Sequence, residues 1–84
     1  MTPTARVDAH CIVLSARLAA QFSGGSALDF ELAVTLPTGI RMPVAHSSVV
    51  PRAERARVRA GSTLAVSLDP ARPDSLRIDW ARAA

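Results

Sequence analysis

Three groups of residues in this 84-residue chain are of types that do chemistry. Asp69, Asp74 and Asp79 lie within "LDPARPDSLRIDW", residues 68–80, and could serve as paired acids or calcium ligands. His10, Cys11 and His46 could form a metal site or a Cys/His nucleophile pair. Arg52, Arg55, Arg57 and Arg59 fall in "PRAERARVRAG", residues 51–61, and could hold phosphate oxygens.

Spacing weakens the first two groups. A calcium loop places its acids in a D-x-D-x-D-G order, which these aspartates do not follow. Asp beside proline is turn chemistry, the carboxylate accepting from nearby backbone N–H groups. The aspartates are therefore expected to be joints between strands. His10 and Cys11 are adjacent, and adjacent residues of a strand point to opposite faces, so they do not readily share one ligand sphere. A packed Cys11 and two partly exposed histidines are expected, with no metal and no cofactor. A Ser/His/Asp set can be drawn from almost any composition, and no G-x-S-x-G elbow singles out a serine. The chain is expected not to be an enzyme.

The arginines have a physical mechanism. On a helix Arg52, Arg55 and Arg59 share a face by i, i+3, i+7 spacing, which makes them the candidate binding residues for an anionic partner. Glu54 dilutes that patch only slightly. The formal charge of +3 comes from ten basic and seven acidic residues, and every basic residue is arginine, the Arg and Ala richness of a GC-rich genome. Arginine cannot deprotonate, so the high pI overstates the charge excess. A mild positive surface follows.

The length allows a single domain over residues 1–84, with a modest core. One cysteine, Cys11, excludes an internal disulfide and a Cys-rich zinc site, and a reducing cytoplasm is the default location. No apolar run approaches the roughly 18 residues of a membrane span, and "MTPTARVDAH" lacks the order of a secretory signal. Envelope association is expected only if the chain is part of a longer protein.

The elements that must position these residues are mostly strands. "LDFELAVTL", residues 28–36, alternates Leu28, Phe30, Leu32, Val34 and Leu36 with smaller or polar residues, the period of a half-buried strand. "PTG" supplies a turn, and "IRMPVAH" follows as a partner strand in which Pro43 predicts an edge or a bulge. Residues 51–61 read as a short helix, with Pro51 in the first turn and Gly61 as its C-cap. "STLAVSLD" and "SLRIDW" alternate again as strands. "RVDAHCIVLSARLAAQF" supports both a helical stripe and a long, bent first strand, and its β-branched Ile12-Val13 favours the strand. "SGGS", residues 23–26, connects it to the next.

The fold class expected is thus all-β with one short helix: a small five-stranded barrel, OB-like, with an SH3-like barrel as the nearest alternative. Over residues 6–80 the chain resembles small bacterial β-barrel domains of unknown function. The likeness is carried by "VTLPTG", Gly61, Asp69, Pro70, Pro73 and the last apolar strand. Members of that group are often attached to transmembrane helices in bacterial envelopes, and the resemblance implies no catalytic residues.

The function expected is a non-enzymatic accessory or protein-interaction module, with another protein as partner. The alternative is a nucleic-acid-binding OB-type domain using the arginine-rich helix. Such binders stack bases on exposed aromatics, whereas this chain has only Phe22, Phe30 and Trp80, and Phe30 and Trp80 fall on apolar faces. Nucleic acid is therefore the less expected partner.

Overall fold

A computed structural model of the protein describes residues 6–82. Five strands, β1 (Val7–Gln21), β2 (Gly25–Thr35), β3 (Arg41–Pro51), β4 (Thr63–Asp69) and β5 (Arg72–Ile78), form one antiparallel sheet in the order β3-β2-β1-β4-β5. The sheet curls into a nearly closed barrel, bringing its outer strands β3 and β5 against each other. A 3-10 helix, η1 (Arg52–Arg57), joins β3 to β4.

The N-terminal third is the strand that its β-branched residues favour. β1 pairs with β4 through residues 7–12 and with β2 through residues 10–21, and shifts register between Val13 and Ser15 and again between Leu18 and Ala20. Bulges bend a strand and increase its twist, which lets one 15-residue strand serve both sides of a small barrel. Cys11 and Val13 point inward from it, and His10 and Ile12 outward.

Alternation builds the core. Leu28, Phe30, Leu32 and Val34 of β2 meet Leu64, Val66 and Leu68 of β4, with Val44 and Val50 of β3 and Leu76 of β5 completing the interior. Ile78 and Trp80 pack against this cluster while keeping partial exposure. Pro43 pairs opposite Ala33 on β3, an outer strand of the sheet, where a missing N–H costs least.

Three local expectations are revised. Pro51 is the last residue of β3 with φ −56° and ψ 146°, and the helix after it is 3-10, ending at Arg57 rather than running to Gly61. Its Ala and Arg side chains bury no residue, so a longer α-helix would have no apolar face to seat; Val58, just beyond, is the buried anchor. Gly61 adopts φ +90° in the following turn. The connection between β4 and β5 is also tighter than "DPARPDS" suggests: Asp69 pairs with Arg72 around Pro70-Ala71, and Asp74 lies within β5. Trp80 lies beyond β5, in a turn.

Candidate functional site

Each chemistry-bearing group has a definite place. The Asp69 carboxylate accepts from the Ala71 N–H at 3.0 Å, and the Asp69 N–H donates to Ser75 Oγ at 2.9 Å, closing the β4–β5 turn. Asp79 repeats the device, its carboxylate accepting from the Ala81 N–H at 3.1 Å while its own N–H donates to the Ala65 carbonyl. These two aspartates are joints; Asp74 is exposed on β5.

Cys11 is buried in the barrel, and burial pushes its thiol up to about 11, against the opposing effect of a backbone hydrogen bond from Leu64. His10, beside it, is exposed on the opposite face. His46 sits on β3 with its ring stacked on Phe30, centroids 6.2 Å apart and planes inclined by 24°. Burial lowers its pKa from the ordinary 6.5. The structure does not bring His10, Cys11 and His46 together, and no three His, Cys, Asp or Glu side chains gather into a metal-binding group among the described residues.

The arginines divide into structural and free ones. Arg57 donates to Glu54 at 2.7 Å and to the Trp80 carbonyl at 2.9 Å, and its guanidinium lies 5.7 Å from the Trp80 ring centroid. That cation–π contact fastens η1 to the turn after β5. Arg6 donates to the Ser67 and Ser75 carbonyls, joining β4 to β5. Arg82 donates to the Ala9 and Val66 carbonyls and pairs with Asp8 at 2.8 Å.

Arg52 and Arg55 are exposed, and neither forms an ion pair among the described residues. A 3-10 helix repeats every three residues, so these two side chains fall on one side of η1. Arg59, predicted to share that face, lies past the helix in the next turn, where its carbonyl accepts from the Ser62 N–H at 3.0 Å. The third arginine of the patch is therefore separated from the other two by the end of the helix.

Arg52 and Arg55 form one wall of a cleft of ≈ 350 Å³, whose other wall is the β1–β2 turn with Gln21, Phe22, Ser23 and Ser26. "SGGS" makes this approach possible. A Cβ on Gly25 would meet the Val50 carbonyl oxygen at 2.5 Å, so only glycine lets the start of β2 lie this close to the end of β3. The Phe22 N–H donates to the Gly25 carbonyl at 2.8 Å, and the Arg52 N–H to the Gly24 carbonyl at 3.2 Å, tying the turn to the helix. Phe22 is left 57% exposed at the cleft, whereas Phe30 is 2% exposed. Alternation singles out Phe30 and Trp80 as packed but is silent on Phe22, which lies past the end of β1; an aromatic immediately before "SGGS" was the available signal.

A second opening lies along the barrel seam. No backbone hydrogen bond joins β3 to β5 among the described residues. A cleft of ≈ 220 Å³ runs between them, bounded by His46, Ser48 and Val49 on one side and Leu76, Arg77, Ile78 and Trp80 on the other. No helix among the described residues is long and apolar enough to cross a membrane. No family model, curated protein or solved structure matches the chain.

Proposed function

We propose that the domain is a non-enzymatic accessory module, an OB-like barrel that recognises another protein through its unsealed β3–β5 seam. The observation carrying this reading is the pair of strand edges that face each other across a cleft of mixed apolar and polar lining without a ladder between them. Such edges present backbone donors and acceptors to an extended peptide, and side-chain pockets beside them supply selectivity. Val49 is a largely exposed apolar side chain at that cleft, where a partner would cover it. The circular order β1-β2-β3-β5-β4, with the helix between β3 and β4, supports the OB-like assignment over the SH3-like one. A bacterial origin and envelope attachment rest on the resemblance around Gly61, Asp69, Pro70 and Pro73 alone.

The test is selection from a library of extended peptides, followed by amide hydrogen exchange. Selected peptides should slow exchange at residues 46–49 and 76–78 and should lose affinity for a Val49→Asp variant whose melting temperature matches the parent's. Peptides that protect other strands, or bind Val49→Asp equally, would overturn the seam as the binding surface.

A second reading, nucleic-acid binding, is favoured by one specific observation: Phe22 is exposed beside Arg52 and Arg55. Base stacking on an aromatic and cationic tracking of the backbone are the two components of single-strand binding, and they meet in this cleft.

A further inference from the structure

We propose that the cleft between the β1–β2 turn and η1 binds a nucleotide unit, its phosphate held between Arg52 and Arg55 and its base stacked on Phe22. The inference rests on the nucleic-acid reading and names the chemical unit and the subsite.

Charge points to the ligand first. Among the described residues two arginines line the cleft and no acidic residue does. The nearest acid in sequence, Glu54, is held by Arg57 at 2.7 Å and leaves the Arg52 and Arg55 charges uncompensated. Paired guanidinium groups offer planar donor forks that match phosphate oxygens.

Shape and chemistry then select a phosphate that carries a base. A free phosphate would use the arginines and leave Phe22 idle in water. A ring over half exposed at the rim of a cationic cleft offers a face to a planar group. The cleft, ≈ 350 Å³, falls in the size range of small-molecule sites. Ser23, Ser26 and Gln21 bring hydroxyl and amide groups to the same space, able to meet phosphate oxygens or a base edge.

The two walls are also held at fixed separation. The close approach of Gly25 to Val50 and the hydrogen bond from Arg52 to Gly24 join the turn bearing Phe22 to the helix bearing the arginines. Preorganisation of this kind lowers the ordering cost of binding. A base inside a duplex is already stacked on both faces, so the subsite takes a single strand or a free nucleotide.

Fluorescence anisotropy with a labelled oligothymidylate of about eight nucleotides tests this, alongside a duplex of equal length and a free nucleoside monophosphate as competitor. The variants are Phe22→Leu, Phe22→Tyr and Arg52→Ala/Arg55→Ala, with Arg41→Ala as a control at the opposite end of β3. Their melting temperatures should match the parent's, because all are exposed. The single strand should bind at about 50 mM salt and weaken steeply by about 200 mM. Phe22→Leu should weaken it about tenfold, Phe22→Tyr should restore it, and the double arginine variant should flatten the logarithmic salt slope by about 0.7 for each phosphate that is no longer neutralised. Competition by the monophosphate with the same Phe22 and arginine dependence identifies a free nucleotide as a source of the unit. Binding of single strand and duplex alike, indifferent to Phe22→Leu, overturns the subsite while leaving the nucleic-acid reading standing. No binding of any of these probes at low salt overturns both.

Discussion

A Cβ on Gly25 would lie 2.5 Å from the Val50 carbonyl oxygen, closer than real side-chain carbons come to backbone. The start of β2 and the end of β3 are thus docked on the condition that residue 25 has no side chain. Gly24, one residue earlier, has nothing within 4 Å of its would-be Cβ.

Gly25→Ala should therefore destabilise the barrel by about 1–3 kcal/mol through the forced backbone shift. Gly24→Ala should stay within about 0.5 kcal/mol of the parent. Urea denaturation of the two variants makes the comparison, and equal losses would contradict the close approach.

Phe30 occupies the middle of the core beside His46, and Phe30→Ala should cost about 3–5 kcal/mol. In so small a domain that is a large part of the total stability. Loss of the cooperative thermal transition is the expected result, and an unchanged melting temperature would refute the placement of Phe30.

Cys11 should be inert in the native protein. With its thiol pushed up to about 11 by burial, the thiolate fraction at about pH 8 is roughly one in a thousand, and the sulfur is shielded as well. A disulfide reagent should label it only after denaturant opens the barrel. Rapid stoichiometric labelling without denaturant would contradict the burial.

His46 gives stability a defined pH dependence. Burial lowers its folded pKa below the ordinary 6.5, so at acidic pH the unfolded chain takes up a proton that the folded one resists. Its contribution is present above about pH 6.5 and is lost as pH falls through that value toward the folded pKa. Chemical denaturation between about pH 7 and pH 5 should show stability falling with acid, and falling less in a His46→Gln variant. Equal slopes for the two proteins would exclude His46 as a source of the dependence.

The period-two runs at residues 28–36 and 63–69 made the core legible before any tertiary contact was known, because alternation alone decides which side chains share a face. Pro43 likewise marked β3 as an outer strand, and the Asp-Pro step marked a turn, since proline geometry and carboxylate capping act within a few residues; the alternation of "SLRIDW" carried the last strand too far, to Trp80, which lies in a turn. What local pattern could not decide was the fate of the arginines. Arg57 is consumed by the carbonyl of Trp80, 23 residues away, and Arg82 by that of Ala9, 73 residues away. Those partners exist only once distant strands have paired and the sheet has curled. The helix was shorter and tighter than expected because its own Ala and Arg side chains give it no apolar face to seat on the barrel. Phe22 ended at the rim for the same kind of reason: it lies just past Gln21–Ser26, the last β1–β2 pair, and the turn it enters is docked beside Arg52 by a glycine contact with β3. Sequence periodicity determined the faces, and barrel closure decided which charges and rings were left free to meet a partner.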